Sequence, residues 1–328
     1  IQIPYNLTVG DEVKIYEKMV TGTELENVHL APLTLPAMSI FAVLSRLDPP
    51  ARQGMSLLDK LRLYDGIKVP RYSLDDVPEM RRHSQDEGMS GISPRYVMNR
   101  LSAVASTPDI HCITPLNALN SLWEGLRENI SLDGVDLVKY IELLRDAVEE
   151  YGNRAVEDVQ RAFKEGFDES ATDLLSEYLS QLGRYVDGSD ASEREMREME
   201  KQVGVVERGR EEFRRQVHGF FINLKARGIE YDHKTEPRLK AAIEARLFPT
   251  RRTVERTLTR PRFARQRVEW RRERTAIFSR LSESYGYCST CAEDVIEFAL
   301  HVLKSRAVVK SLKNEGITWE WELKPSEP

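Results

Sequence analysis

The sequence predicts a mainly α protein, a multi-helix subdomain followed by a larger helical domain, with one strand near its C-terminus. Three observations carry that expectation. Apolar residues recur at steps of three and four through most of the 328 residues, the period of a helix with one buried face. Ser-Pro and Thr-Pro pairs stand where such runs begin, a polar cap followed by a residue whose fixed φ suits the first turn. Strand-type alternation is confined to GITWEWEL, where Ile317, Trp319, Trp321 and Leu323 step by two.

The elements follow in chain order. GDEVKIYEKMV sets Val13, Tyr16, Met19 and Val20 on one side of a helix, with Thr8 or Gly10 near its cap. TLPAMSIFAVLSRL has Thr34 as cap candidate, Pro36 in the first turn and Pro49-Pro50 as its stop. Its body (Met38, Ile40, Phe41, Val43, Leu44 and Leu47) is apolar on too many sides for a surface helix, so it reads as buried nearly all round. SLLDKLRLYDG is a short helix closed by Gly66, and residues 67–90 are loop-rich. Ser93-Pro94 opens a helix with Val97, Leu101 and Val104 as its stripe; Thr114-Pro115 opens the next, with Leu116, Leu119, Leu122, Trp123 and Leu126. Two longer runs follow, Leu137 to Tyr151 and Leu174 to Val186. DGSDAS at 187–192 reads as a linker, EREMREMEKQ as a solvated helix, and Phe213, Val217, Phe220, Phe221 and Leu224 as a core face. Tyr140, Tyr151 and Tyr178 are expected in the core. The rest is helical to about Lys313. Breaks near 106–114 and 187–192 divide the chain into 1–110, 111–187 and 193–328.

The bulk numbers narrow the class. Net charge is −5 with 31% charged residues, and no run of 18 apolar residues exists to cross a membrane as a helix. No basic-then-apolar leader opens the chain. Three cysteines, Cys112, Cys288 and Cys291, are too few for a disulfide framework and fit a reducing cytoplasm. The first residue is Ile1, and IQIPYNLTV reads as a strand leaving a sheet, so a piece of a longer protein is expected. Charge is uneven: residues 142–200 hold 17 acidic and 7 basic residues, a net of −10, whereas residues 251–274 hold 10 arginines and 3 glutamates, a net of +7. These read as helical faces that meet each other or a protein partner. Phe263 and Trp270 among the arginines offer bases something to stack on, but the interleaved glutamates and the overall negative charge argue against nucleic acid.

One position is chemically odd. Arg95 stands about two residues past the Ser93 cap, where the partial positive charge of a helix N-terminus disfavours a cation by about 0.3–1 kcal/mol. The same N-terminus, with free N–H groups and a guanidinium beside them, suits an anion. Gly88 and Gly91 before it allow close backbone approach. The plainer reading is that Arg95 extends into solvent or pairs with Glu87.

Cys288-Ser-Thr-Cys291 invites a metal or redox reading, but a zinc site needs four ligands. The nearest following histidine, His301, is ten residues on, and there is no second C-x-x-C. Thr290 with Glu293 reads as a capping box for the next helix, so the pair is expected to be structural and no metal is expected. His29, before an Ala-Pro helix start, and His111, beside Cys112, have no spaced partner in the sequence and read as polar boundary residues.

Five stretches together resemble one family: IQIPYNLTVGDEVKIYEKM, VHLAPLTLPAMSIFAVLSRLDPP, LRLYDG, DEGMSGISPRYVMNRLS and YGYCSTCAEDVIEFALHVL. In this order they look like the PrkA-type serine protein kinases. The resemblance implies a cytoplasmic protein with an AAA+ ATPase core, a helical lid and a C-terminal domain, of which this chain holds the end of the core, the lid (about 8–110) and the C-terminal domain. It implies ATP and Mg²⁺ in the full-length protein, a protein substrate or regulator, and a possible homo-oligomer. Ser93, Pro94 and Arg95 fall on the Ser-Pro-Arg that in AAA+ lids commonly supplies the sensor-2 arginine, which touches the nucleotide's terminal phosphate. Gly88 and Gly91 would belong to the same nucleotide-binding loop. No GxxxxGK[ST] occurs, nor the G-x-G-x-x-G, H-R-D and D-F-G of ordinary protein kinases. This chain alone is therefore expected neither to bind ATP tightly nor to transfer phosphate. The alternative is a non-enzymatic helical adaptor or regulatory module of an AAA+ ATPase.

Overall fold

A helix that is apolar all round has no face to offer to water and must be surrounded. In the computed structural model, which describes residues 3–304 apart from 85, 109, 129–133, 262, 264 and 265, that helix is α2 (Thr34–Leu44). Every residue from Ala37 to Leu44 is buried. Helices α1 (Val9–Val20), α3 (Leu57–Tyr64), α5 (Pro94–Ala105), α6 (Pro115–Glu128) and α7 (Gly134–Ala162) pack against it. Helices α12 (Arg251–Leu258), α13 (Arg267–Ser284) and α14 (Ser289–Lys304) pack on one another, and α13 and α14 also pack along α7. Truncating Phe41, which has no exposed surface, should cost about 3–5 kcal/mol.

The mainly α expectation holds: the described residues contain fourteen α-helices and one short parallel strand pair, β1 (His29–Leu30) with β2 (Cys112–Ile113). The apolar residues form two cores. One unites residues 9–162 with 254–303; the other is built by α8 (Phe167–Val186), α9 (Glu193–Val203), α10 (Arg210–Ala226) and α11 (Pro237–Leu247). The stretch 187–192 therefore joins α8 to α9, two helices of the same second core, because turn chemistry is the same in a helix–helix connection as in a linker between domains. Arg161 on α7 ties the two cores together, reaching Glu244 of α11 at 2.6 Å.

Several local expectations change. Thr34 is the first helical residue, not the cap, which is Leu33; its hydroxyl instead donates to the Ile113 carbonyl at 2.8 Å. Residues 3–8 form no strand; Tyr5 N–H donates a single bond to the Gly88 carbonyl at 2.8 Å. α9 is less solvated than its composition reads, since Met196, Met199 and Glu200 are all buried. Phe220 is 41% exposed and packs edge-on against Phe221, because the buried stripe of α10 runs through Phe213, Val217 and Phe221 at steps of four. Tyr151 and Tyr178 are buried, and Tyr140 is half-buried. The GITWEWEL stretch lies outside the described residues.

Candidate functional site

Ser93 caps α5 as its sequence predicts: it has an extended backbone, its hydroxyl accepts from Tyr96 N–H at 3.2 Å, and Pro94 occupies the first helical position. Arg95 is exposed and has no hydrogen bond or ion pair among the described residues. It does not pair with Glu87. That carboxylate is buried and bonded to Lys60 Nζ, to the Tyr64 hydroxyl at 2.9 Å and to Asp48 N–H at 3.0 Å.

The two glycines have packing reasons of their own. Gly88 (φ +80°) lies so close to the N-terminal segment that a Cβ would meet the Tyr5 carbonyl oxygen at 2.8 Å. At Gly91 (φ +107°) a Cβ would meet the Ser45 carbonyl oxygen at 2.6 Å. Both positions demand glycine for conformation and for close approach. Gly88 is bonded on both sides, its carbonyl to Tyr5 N–H and its N–H to the Arg46 carbonyl, and Gly91 packs against the Ser45 carbonyl just past α2.

Two buried ion pairs hold this loop. Arg46, with no side-chain exposure, meets Glu12 in a bidentate contact at 2.6 and 2.8 Å, and also donates to the Ile92 carbonyl and the Asn6 carbonyl. Lys60 pairs with Glu87 and donates to the Asp48 carbonyl at 3.0 Å. Ser45 accepts from Ile92 N–H at 2.8 Å. Such pairs cost desolvation that is offset only where the hydrogen bonds are complete, and here they fix both sides of the loop that presents Arg95. Sequence reasoning missed them, because Glu12 and Arg46 look like ordinary surface residues.

The second constellation is one the sequence split apart. His29 and Cys112 are register partners in the β1–β2 pair, and the start of α14 brings Cys288 and Cys291 against them. His29 Nε2 and the three Sγ atoms all lie within 4.8 Å of one another. Cys291 Sγ stands 3.4 Å from His29 Nε2 and 3.6 Å from Cys288 Sγ, and accepts from Cys288 N–H at 3.1 Å. Cys291 therefore does the capping expected of Thr290 with Glu293, and Glu293 pairs with Arg274 instead. Hydrogen bonding from the Cys112 thiol, with help from His29 and Cys288, draws the Cys291 thiol down to about 5 against the effect of burial. The same contact drives Cys112 far above the usual thiol range. His29 is thus not the isolated boundary residue the sequence suggests, while His111 and His301 are exposed and outside the cluster. A signal was present: His-Leu-Ala-Pro-Leu and Cys-Ile-Thr-Pro-Leu share a frame, each a two-residue strand running into a helix start.

The arginine-rich segment is partly used by the fold. Trp270 donates its indole N–H to the Leu258 carbonyl at 3.0 Å and lies under Arg274, which pairs with Glu293 and Glu297. That ring is engaged within the protein, whereas Phe263 is exposed. Arg280, just beyond the segment, donates to the Ala162 and Phe163 carbonyls at the end of α7. No helix of the described residues is long and apolar enough to cross a membrane.

Comparison with known proteins adds two matches to family models: the PrkA AAA domain over residues 1–54 and the PrkA serine protein kinase C-terminal domain over residues 58–298. The chain is 33% identical over 307 residues to the ATP-dependent protease PrkA of Bacillus subtilis (strain 168), covering 90% of this chain and 48% of that protein. It is 24% identical over 273 residues to the serine/threonine kinase YeaG of Escherichia coli (strain K12), covering 76% of this chain and 41% of that protein. The chain thus spans about half the length of the curated relatives it matches. No solved structure matches it significantly.

Proposed function

The chain belongs to the PrkA serine protein kinase family, and from that premise we propose that it forms the nucleotide-sensing and regulatory part of an ATP-dependent PrkA protein. Arg95 is the sensing residue. The observation that carries this reading is a free, exposed guanidinium on the first turn of α5, after a loop fixed by two buried ion pairs, of which Glu12–Arg46 lies within the residues that match the AAA domain. A phosphate arriving there would meet both the arginine and the remaining N–H groups of the helix start.

The residues of this chain bind and position; they supply no phosphate-cradling loop and no acidic pair for a metal in the pattern of known nucleotide sites. ATP and Mg²⁺ would be held by the ATPase core of the whole protein, as a homo-oligomer if the core forms rings. The helices of the second core and the charged faces of α7–α9 and α12–α13 would recognise a protein substrate or regulator. The two relatives are named for different reactions, proteolysis and phosphate transfer. Arg95 as sensor is compatible with both, because either name leaves room for a nucleotide whose terminal phosphate must be read.

The test uses the full-length protein. Arg95→Ala should lower ATP hydrolysis at least about tenfold while the far-ultraviolet spectrum and unfolding temperature stay unchanged. Unchanged turnover would remove the sensor role. Phosphate transfer to a protein, assayed beside a variant of the core's phosphate loop, separates the alternatives. Hydrolysis without transfer favours a motor or adaptor. Transfer that survives loss of that loop would put a catalytic site in the C-terminal domain.

A further inference from the structure

We propose that His29, Cys112, Cys288 and Cys291 form a structural zinc site that staples three distant parts of the chain together. The inference stands apart from the reading of Arg95.

The donor set is the first argument. Three cysteine sulfurs and one imidazole nitrogen make a Cys₃His group, one of the ligand sets of structural zinc. Thiolates select zinc over the hard cations Mg²⁺ and Ca²⁺, which take oxygen ligands. Geometry is the second. Zn–S bonds of about 2.3 Å and Zn–N bonds of about 2.0–2.1 Å in a tetrahedron put neighbouring donors about 3.5–3.8 Å apart. The contacts at 3.4 Å and 3.6 Å match that edge, and the remaining separations, all within 4.8 Å, close with a small side-chain adjustment. A set this tight encloses a single ion.

Supporting contacts are the third argument. Cys291 Sγ already accepts the Cys288 N–H, the kind of outer bond that orients a thiolate ligand. The start of α14 adds its partial positive charge beside a site of net charge −1. Four protein ligands fill the tetrahedron and leave no position for water or substrate, so the ion would be structural and not a Lewis acid. Loading needs three thiolates and a neutral imidazole. The thiol protons pass to solvent, and no electron changes hands.

The placement explains why such a staple is useful. His29 lies between α1 and α2, Cys112 lies between α5 and α6, and the C-x-x-C pair starts α14. His29 and Cys291 are 262 residues apart in sequence, so one ion would close very long loops, and its binding energy would become folding energy. It would also anchor the chain beyond the C-terminal end of α5, the helix whose first turn carries Arg95.

The chain, purified without chelators or nickel resin, should carry about one zinc per molecule by elemental analysis. Cys288→Ser/Cys291→Ser should lose it, to below about 0.1 per chain. Since loss of the ion also removes folding energy from that variant, Cys112→His supplies the control: it keeps four ligands, so it should stay folded and keep its zinc. Cobalt(II) exchanged into the wild type should give the intense visible bands of a tetrahedral thiolate site, and Cys112→His should weaken the sulfur-to-cobalt band. Folded wild-type protein without stoichiometric zinc would overturn the proposal. So would mononuclear iron in its place, a Cys288–Cys291 disulfide in freshly purified protein, or full zinc retention in the double serine variant.

Discussion

The N-termini of α5 and α14 pose the same electrostatic problem and meet it in opposite ways. Each offers N–H groups without helical partners and the positive end of a helix dipole. At α14 the chain supplies its own answer: Cys291, 2% exposed, accepts the Cys288 N–H and turns inward toward His29. At α5 Ser93 accepts one N–H, and Arg95 adds a further positive charge that no side chain among the described residues neutralises. A helix start that receives its own sulfur is part of the architecture. One that gathers positive charge and leaves it exposed is suited to an anion from outside.

The largest expected effect lies under the α5 start. Glu12→Ala leaves Arg46 buried without its partner and should cost about 3–5 kcal/mol by chemical denaturation. The Glu12→Leu/Arg46→Met double variant should recover much of that loss, because two apolar side chains leave no charge stranded. If Glu12→Ala were silent, the rigid presentation of Arg95 would be wrong and the contrast with α14 would lose one side.

A third helix start, that of α8, sharpens the comparison through pH. It carries Asp168 and Glu169 in the ordinary way, and the fully buried His233 lies against Asp168 at 3.6 Å. Burial, with Lys234 adding to it, lowers the His233 pKa; Asp168, Asp232 and Glu244 pull the other way. The sign follows from linkage. As pH falls below about 6.5 the unfolded chain takes up a proton there and the folded chain resists, so stability drops with pH until folded His233 itself titrates. The second core should therefore lose stability as pH falls from about 6.5 towards the folded pKa of His233. His233→Gln should flatten the dependence, read as unfolding midpoint against pH; an unchanged slope would contradict it.

Much of the fold was legible because it is written locally. The buried body of α2, the Ser93 cap and the stripe Val97, Leu101 and Val104 are all set by neighbours within two turns. What stayed hidden depends on distant pairs. Nothing in DEVKIY marks Glu12 as fully buried, since a carboxylate destined for Arg46 looks like one destined for water. The Cys₃His group was hidden by the same logic: its ligands meet through a two-residue strand pair between segments far apart in sequence, and helical periodicity carries no trace of it. Arg95 was legible as an oddity, but its freedom was not, because only the structure shows Glu87 occupied elsewhere.

Smaller effects separate the cap from the cation. Ser93→Ala removes one cap hydrogen bond and should cost about 1 kcal/mol in thermal or chemical unfolding. Arg95→Ala should change stability by no more than about 0.5 kcal/mol, and in the favourable direction, since it removes a cation from a positive helix end. A marked loss of stability would mean that Arg95 has a structural partner after all.

The most direct test of the central claim is nucleotide affinity in the full-length protein, measured for ATP and ADP with wild type and Arg95→Ala. If Arg95 reads the terminal phosphate, the variant should lose affinity for a non-hydrolysable ATP analogue and keep its affinity for ADP. Equal affinities in variant and wild type for both nucleotides would contradict the account.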